Sequence, residues 1–253
     1  MQKYSRINGS TLKLIALISM LTDHTAAVIF PYLMIKYEVY TIDFSMDYAS
    51  MALSQGGAGW LYILYQIMRR GIGRLAFPIY CFLLIEGFER THSRAKYAFR
   101  LFLFALISEV PFDLAFHGQR VYLYYQNVFF TLLLGLLMMW AMKELEERVS
   151  IPVLRWAGMG AVFLAAAFAA EKIYCDYGAN GIIAIAFLYL FRKNKWHQII
   201  AGILAFLWEI TAPLAFLFIG FYNGERGLRL KYVFYLFYPL HLLILYYIST
   251  MLI

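Results

Sequence analysis

Apolar stretches long enough to cross a lipid bilayer follow one another almost from end to end of this chain, joined by short connections rich in Lys and Arg. A hydrocarbon core of about 30 Å needs roughly 20 apolar residues per helix, so the pattern predicts an all-α polytopic integral membrane protein, a helical bundle of about eight to ten transmembrane helices. Hydrophobic residues make up 63% of the chain and charged residues 15%, which leaves no length for a soluble catalytic domain. We therefore predict a single transmembrane domain over residues 1–253.

The predicted spans are separated by charged or glycine-containing connections. Their approximate ranges are 12–34, 73–89, 98–117, 125–142, 152–170, 178–191 and 232–252, with a short interfacial helix at 58–68. Residues 197–222 are long for one helix and short for two, and Glu209 and Pro213 interrupt them. The sequence leaves two interpretations of this stretch, a single span or a broken, re-entrant pair of helices.

The formal net charge of +7 would suggest a nucleic-acid partner in a soluble protein. In a membrane protein it has a simpler explanation, because cytoplasmic loops carry an excess of Lys and Arg. The basic connections near residues 90–100, 143–155 and 192–195 all fall on one side if the N-terminus is inside. We predict a multi-pass protein of the bacterial cytoplasmic membrane with a cytoplasmic N-terminus, surrounded by lipid and with no nucleic-acid partner.

Several familiar signatures are missing from the sequence. The first apolar run is interrupted by Asp23 and His24 and has no evident cleavage site, so a cleavable signal is not expected. Cys81 and Cys175 lack the paired spacing of metal ligands, and no metal is expected. The chain has no glycine-rich phosphate loop, no HExxH motif and no GxSxG elbow. Any chemistry must therefore come from polar side chains inside the membrane or at its edge.

The most conspicuous polar run lies at the centre of the first predicted span, at residues 22–25 (Thr-Asp-His-Thr). An ionisable residue at that depth costs roughly 2.5–3.5 kcal/mol on insertion scales, so it is usually paired or functional. Imidazole exchanges a proton near neutral pH, which makes His24 the candidate general base. Consecutive helical residues point about 100° apart, so Asp23 is expected to share a face with Ser19 instead of with His24. The alternative is a buried histidine satisfied by a neighbouring helix.

A second feature is the arginine group that precedes the second long span. Arg70 and Arg74 are four residues apart and would share one face of an α-helix. Two guanidinium groups so placed can hold a phosphate or pyrophosphate by bidentate hydrogen bonds. Arg69 fits instead the alternative of a side chain that reaches the lipid headgroups.

The third feature is an acidic face of the span at 98–117. Glu109, Asp113 and His117 follow one another at intervals of four residues. Two carboxylates so placed repel each other, so an arginine of the preceding span is the expected partner, and a purely structural ion pair is the alternative. Further polar points, each of which alone is explained as a packing or capping group, are Asn127, Asp176, Tyr177, Glu209 and His241.

The chain resembles the TraX family over essentially its whole length. The resemblance is carried, in order, by LKLIALISMLTDHTAAVI, RLAFPIYCFLLIEGFERT, ALISEVPFDLAF, QNVFF, DYGANGI and FYPLHLLIL. The family takes its name from a conjugation-plasmid membrane protein needed for N-terminal acetylation of pilin. It is similar in layout to a larger group of transmembrane acyltransferases, which includes the lysosomal heparan-glucosaminide acetyltransferase. In that group acetyl-CoA is the usual donor, and a histidine in an early span, matched here by His24, is implicated in acyl transfer.

The resemblance implies a membrane-embedded, acetyl-CoA-dependent acyltransferase with His24 as base and Asp23, or a carboxylate of the 98–117 span, fixing its tautomer. Arg74 or Asn127 would face the oxyanion or the pyrophosphate. The adenosine phosphates would be held by the basic loop that contains Arg90, Arg94 and Arg100, and Arg70 is a further cofactor-binding candidate through the pyrophosphate. The acceptor could be a peptide N-terminus, an amino sugar or a cell-envelope glycan, and both direct transfer and an acetyl-histidine intermediate fit the sequence.

Two other function classes also fit parts of the sequence. A proton-coupled transporter would use buried Asp, Glu and His residues as a proton pathway. Such proteins often carry inverted repeats with paired broken helices, and only one broken stretch is present here. A structural or assembly subunit is the third class, and it predicts that neutral replacements of Asp23 and His24 are tolerated.

Overall fold

The computed structural model describes residues 7–39, 54, 57–228 and 231–252. Within these ranges the chain is helical and contains no β-strand, only two isolated bridges. The α-helices are α1 (Gly9–Lys36), α2 (Gly57–Gln66), α3 (Ala76–Arg90), α4 (Arg94–His117), α5 (Val128–Arg148), α6 (Pro152–Lys172), α7 (Gly178–Leu190), α8 (Lys195–Ala205), α9 (Ala215–Gly220) and α10 (Lys231–Thr250).

Five helical segments in the described part of the chain are long and apolar enough to cross a membrane. They are Gly9–Lys36, Gly59–Arg90, Val128–Arg148, Pro152–Lys172 and Tyr232–Thr250. The predicted helical membrane architecture is confirmed, but the predicted number of eight to ten spans is not supported. Helix α4 is long but carries several ionisable residues, α7 has only 13 residues, and α8 and α9 are shorter still.

Residues 195–222 form a re-entrant hairpin. Helix α8 has 11 residues, and at 1.5 Å per residue it reaches only about half-way through a 30 Å hydrocarbon core. The chain then turns and comes back through α9, so that Nζ of Lys195 donates to the carbonyl of Tyr222 at 2.9 Å. Gly202 lets the two arms meet, because a Cβ there would collide with the ring of Phe216. Of the two interpretations left open by the sequence, the structure adopts the re-entrant pair.

The connections rich in basic residues meet at one end of the bundle, called here the basic end. Arg192, which follows α7, pairs with Glu89 at the end of α3 (3.0 Å) and with Glu146 at the end of α5 (2.8 Å). Arg90 donates to the carbonyl of Gly224, beyond the hairpin, at 2.8 Å. The α3–α4, α5–α6, α7–α8 and hairpin–α10 connections therefore share this end, as the pattern of Lys and Arg predicts.

The opposite, distal end is closed by two connections that hydrogen-bond to each other. The backbone N–H of Gln126, before α5, donates to the carbonyl of Tyr174 at 2.8 Å. The backbone N–H of Asp176 donates in return to the carbonyl of Gln126, also at 2.8 Å. This pair of bonds fixes the α4–α5 and α6–α7 connections against each other, and so fixes the polar side chains that they carry.

Helices α2 and α3 are joined by a π-helical turn at Ile67–Ile72 and a 3-10 turn at Gly73–Leu75. Such irregular turns free backbone carbonyls, which need partners where water is absent. The hydroxyl of Ser19 on α1 donates to the carbonyls of Ile72 (2.6 Å) and Gly73 (3.1 Å). The hydroxyl of Thr211, at the tip of the hairpin, donates to the carbonyls of Arg70 and Gly71. The predicted common face of Arg70 and Arg74 assumes a regular α-helix here, and the irregular turn was not predicted.

If residues 195–222 form a hairpin, both of its ends must lie on the same side of the membrane, whichever side faces the cytoplasm. Cysteines introduced as Lys193→Cys and Asn223→Cys flank the hairpin at exposed positions and should be labelled by a membrane-impermeant maleimide from the same side of sealed vesicles. Leu123→Cys, exposed at the distal end, should be labelled only from the other side. The native Cys81 and Cys175 are buried, so the unsubstituted protein gives the background. Labelling of positions 193 and 223 from opposite sides would mean that the segment crosses the membrane.

Candidate functional site

Two histidines from distant parts of the chain meet between α1 and α10. Nδ1 of His24 lies 2.7 Å from Nε2 of His241, and the two rings are nearly parallel. Nδ1 of His241 lies 2.7 Å from the carbonyl oxygen of Phe237, one helical turn earlier. His24 is half-buried, with the ring of Phe116 on α4 at 5.3 Å edge-on. Both histidines are predicted site residues, but their contact was not predicted.

Asp23 lies on a different face of α1 and does not contact His24. Its Oδ2 accepts a hydrogen bond from Nη1 of Arg69 at 2.6 Å, and the neighbouring Ser19 binds the same irregular turn, as their shared face predicts. The geometry therefore does not give Asp23 the predicted task of fixing the His24 tautomer. It also gives Arg69 an internal partner, where the sequence analysis had assigned it to the headgroups.

A second, partly buried ion pair joins Arg74 to Glu209, with Nε of Arg74 3.5 Å from Oε2 of Glu209. The expectation that Arg70 and Arg74 share a face is wrong, because it assumed an α-helix. A π-helix bonds residues five apart, which brings Arg69 and Arg74 to the interior, while the side chain of Arg70 is exposed. Glu209 reaches this depth only because the tip of the hairpin carries it there.

Asp176 approaches the same arginines from the distal end. Its Oδ1 accepts a hydrogen bond from the hydroxyl of Tyr125 at 2.8 Å. Burial raises the pKa of Asp176 to about 6; the hydrogen bond from Tyr125 and the charges of Arg74 and Arg69 oppose the rise, and the charge of Asp23 adds to it. We refer to Asp23, Arg69, Arg74, Asp176 and Glu209 as the charged cluster.

Tyr177, the next predicted site residue, forms one wall of this region. Its backbone is left-handed, with φ of 66°, and it immediately precedes α7. Its ring stacks on Phe77 of α3, with the centroids 3.7 Å apart and the planes within 4°. Trp208 from the hairpin lies edge-on to the same ring at 6.0 Å. Tyr177 therefore packs α7, α3 and the hairpin together beside the charged cluster.

The acidic side chains of α4 accept hydrogen bonds from the neighbouring α4–α5 connection instead of pairing with an arginine. The buried amide of Asn127 donates to the Glu109 carboxylate and to the carbonyl of Ala105 (2.9 Å), while its Oδ1 caps α5. Oδ2 of Asp113 accepts from the backbone N–H of Tyr122 at 2.7 Å. In the described part of the chain these carboxylates do not have the predicted arginine partner, because Arg69 and Arg74 pair with Asp23 and Glu209. Glu109 and Asp113 thus hold the α4–α5 connection in place.

A cavity of about 420 Å³ opens at the basic end, between α1, α3, α4 and α10. Four basic side chains line it: Lys13, Arg90, Arg100 and Arg226. The acidic residue in its lining is Glu86, which pairs with Arg90 at 2.5 Å and accepts a hydrogen bond from the Tyr222 hydroxyl at 3.0 Å. With Glu86 ionised, the lining carries an excess of positive charge. This excess suits an anionic ligand.

The cavity extends inward to an aromatic layer that touches the histidine pair. Met20, one helical turn before His24, lines the cavity together with Phe129 and Tyr238. The ring of Tyr238 lies 5.9 Å from the ring of His24 and 5.7 Å from that of His241, edge-on to both. His24 itself is not part of the lining. One layer of side chains therefore separates the inner end of the cavity from the candidate base.

The six predicted cofactor-binding residues separate into different regions. Arg90 and Arg100 line the cavity, whereas Arg94 pairs with Glu144 at 3.5 Å and covers the ring of Phe88. The others, Arg70, Arg74 and Asn127, lie away from the cavity lining, toward the distal side. A cofactor role for any of them stays a prediction. Among the described residues, no group of three or more His, Cys, Asp or Glu side chains is placed to hold a metal ion.

Two basic residues of the cavity were missed by the sequence analysis. Lys13 could have been found, because a lysine inside an apolar span is unusual and points to an internal partner or a cavity. Arg226 could not, since its position depends on the return of the hairpin to the basic end. The interior position of Arg69 was also not predicted, because a π-turn has no recognisable sequence pattern.

Comparison with known proteins identifies the family. The model of the family described as TraX protein matches residues 8–249, a range that contains the histidine pair, the charged cluster and the cavity. The chain belongs to the TraX family. It is also similar to the probable fimbrial assembly protein FimC, serogroup H1, of Dichelobacter nodosus, with 30% identity over 234 residues that cover 81% of this chain and 90% of that relative. No solved structure matches the chain. The resemblance to TraX proteins seen in the sequence is thus confirmed.

Two glycines of the irregular turn provide a test of the charged cluster. A Cβ at Gly73 would lie 2.7 Å from the Cβ of Asp23 and closer still to its carboxylate, whereas a Cβ at Gly71 would meet only Ile67, at 3.9 Å. We expect Gly73→Ala to displace Asp23 from Arg69 and to lower the free energy of unfolding by about 1–3 kcal/mol, the usual cost of overpacking.

The matched variant Gly71→Ala should leave stability unchanged or raise it by up to about 1 kcal/mol, because alanine favours a helix over glycine. Thermal unfolding of the two purified variants in the same detergent is the measurement. Equal thermal midpoints for Gly73→Ala and Gly71→Ala would contradict the tight packing of Asp23 on the turn.

Proposed function

We propose that this protein is a membrane-embedded acetyltransferase that moves an acetyl group from acetyl-CoA to an amine or hydroxyl acceptor, with His24 as general base. The observation that carries the proposal is the cavity at the basic end, lined by four basic side chains and reaching to the aromatic layer beside His24. Membership of the TraX family supports it. The name of the relative from Dichelobacter nodosus connects that protein with fimbrial assembly, which favours an acceptor in the cell envelope.

The cavity suits coenzyme A in both charge and polarity. Coenzyme A carries a 3′-phosphate and a pyrophosphate, and the guanidinium groups of Arg90, Arg100 and Arg226 can form charge-assisted hydrogen bonds to them. The side chain of Arg100 lines the cavity beside Tyr235, and its Nε has no hydrogen-bond partner among the described residues. The apolar and aromatic inner part of the cavity would take the less polar pantetheine arm. We further propose that the basic end faces the cytoplasm, where acetyl-CoA is made.

The proposed chemistry needs one base and no covalent intermediate. Acetyl-CoA supplies the acetyl thioester. Nε2 of His24 takes the proton from the acceptor nitrogen or oxygen as that atom attacks the thioester carbonyl. The new C–N or C–O bond forms, the C–S bond breaks, and the proton passes from His24 to the leaving thiolate, so that free coenzyme A is the second product. Tyr238, whose ring lies between the cavity and His24, must then move aside or leave a gap for the thioester.

The charged cluster lies beside another face of α1 from the histidine pair, and we propose that it shapes the approach of the acceptor. At the distal end, Tyr125 and Tyr177 line a second, aromatic-walled cleft of about 310 Å³, and the Tyr125 hydroxyl donates to Asp176 behind it. Donor and acceptor would then reach His24 from opposite ends of the bundle. This arrangement keeps the thioester away from water until an acceptor is present.

Loss of the base should remove activity without removing donor binding. We expect His24→Gln to lower the rate of coenzyme A release in the presence of acceptor by about 10²–10⁴-fold, the usual contribution of a general base. The affinity for acetyl-CoA should stay unchanged, because His24 does not line the cavity. The thiol released by purified protein, with a peptide amine, glucosamine or an envelope glycan as acceptor, is the measurement. His197→Gln, at an exposed histidine of α8, is the control, and full activity of His24→Gln would refute the proposal.

Donor binding should depend on the cavity arginines. Removal of one charge-assisted contact costs about 1.5–3 kcal/mol, so Arg100→Gln is expected to raise the Kd for acetyl-CoA about 10–100-fold. Arg148→Gln removes an arginine at the same end of the bundle that lies on the surface and pairs with Glu144. That control should bind acetyl-CoA as the unsubstituted protein does. Calorimetric titration in detergent measures both, and equal affinities would place the donor elsewhere.

A further inference from the structure

The contact between His24 and His241 determines which nitrogen of His24 is able to accept a proton. We infer that His241 is a positioning residue that holds His24 in its Nδ1–H tautomer and so presents the Nε2 lone pair to the substrate. The catalytic consequence rests on the proposed function. The tautomer itself follows from hydrogen-bond geometry alone and can be tested without any catalytic assay.

The carbonyl oxygen of Phe237 fixes the tautomer of His241. A carbonyl oxygen can only accept, so Nδ1 of His241, 2.7 Å away, must carry a hydrogen. In a neutral imidazole the other nitrogen then holds the lone pair, so Nε2 of His241 is an acceptor. That atom lies 2.7 Å from Nδ1 of His24, which must therefore be the donor. With both rings neutral, the hydrogen of His24 is on Nδ1 and its Nε2 is basic.

The surroundings of His241 fix its ring in the orientation that this chain of bonds requires. His241 is buried, and the ring of Phe237 stacks on it with the centroids 4.8 Å apart and the planes within 15°. The ring of His24 lies parallel to it, at 5.0 Å and within 7°. Tyr238 meets it edge-on at 5.7 Å. A ring held on several sides cannot readily rotate to exchange its two nitrogens.

Among the residues that the structure describes, no carboxylate takes this role. The carboxylate expected to orient His24 was that of Asp23, which is bound to Arg69 on another face of α1. The carboxylates of α4 accept hydrogen bonds from Asn127 and from the backbone of Tyr122. A neutral imidazole also costs less to bury than a carboxylate would. When His24 takes a proton, Nε2 of His241 is positioned to stabilise the resulting imidazolium, as the acidic member of a catalytic triad does.

The first experiment reads the tautomer directly. In protein labelled with ¹⁵N-histidine, the ring nitrogen shifts distinguish Nδ1–H from Nε2–H, and His24→Gln assigns the His24 signals among the five histidines. At a pH where both rings are neutral, we expect His24 in the Nδ1–H form. In His241→Phe, which keeps a stacking ring but removes the acceptor, we expect a change to the Nε2–H form or a mixture. An Nε2–H signal in the unsubstituted protein, or an unchanged Nδ1–H signal in His241→Phe, would overturn the inference.

The second experiment measures the catalytic effect with a matched pair of variants. His241→Gln places an amide oxygen at about the position of Nε2, where it can accept from Nδ1 of His24, whereas His241→Phe cannot. We expect His241→Phe to lower kcat about tenfold or more, within the 10²–10⁴-fold contribution of the base itself, with KM for acetyl-CoA unchanged. His241→Gln should recover most of the loss. Equal losses in the two variants, or a rise confined to KM, would overturn the positioning role.

The two experiments separate this inference from the proposed function. Absence of acetyl transfer by the unsubstituted protein with every acceptor would remove the proposed function, and the nitrogen shifts would still decide the tautomer. Conversely, an active enzyme whose His24 carries its hydrogen on Nε2 would keep the proposed function and remove His241 as its positioning residue. His197→Gln serves as the control in both, since that histidine is exposed on α8.

Discussion

The structure depends on the ion pair between Asp23 and Arg69, which holds the first helix against the irregular turn between α2 and α3. Inside a membrane, water is not available to satisfy a charge, so each buried ion must find a partner within the protein. Removal of one member of such a pair leaves the other as an unpaired charge in the interior, which is strongly destabilising. The pair therefore fixes both the rotation of α1 and the path of the turn. By fixing α1 it also sets the direction of His24, the next residue along the helix.

The remaining polar parts of the interior are arranged around this pair. The hairpin carries Glu209 to Arg74 and Thr211 to the carbonyls of the turn. The bonded connections at the distal end carry Asp176 to the same arginines. The histidine pair lies on another face of α1, next to the aromatic layer at the inner end of the basic cavity. The interior thus holds three separate polar regions: a cavity lined by basic side chains, the histidine pair and the charged cluster.

Much of this could be predicted from the sequence, and the reasons for the failures are physical. Span length and loop charge depend on local composition, and they led to the membrane architecture and the shared basic end, whereas the role of His24 in the polar run at residues 22–25 stays a prediction. The family followed from an ordered set of segments. The pairing of Arg69 and Arg74 was missed because a π-turn changes which residues share a face, and nothing in a single sequence distinguishes it from an α-helix. The contact between His24 and His241 was missed because it joins residues 217 positions apart.

The irregular turn has a consequence for the tolerance of this segment to changes in length. A π-turn contains one residue more than the α-helical turn that it replaces. Deletion of a single residue between 67 and 72 would restore a continuous α-helix and rotate α3 relative to α2 by about 100°. Arg69 and Arg74 would then leave their common face, and the aromatic surface of α3 would turn away from Tyr177. The segment should therefore tolerate many side-chain substitutions more readily than the deletion of one residue. The architecture depends more on the number of residues in this segment than on their identity.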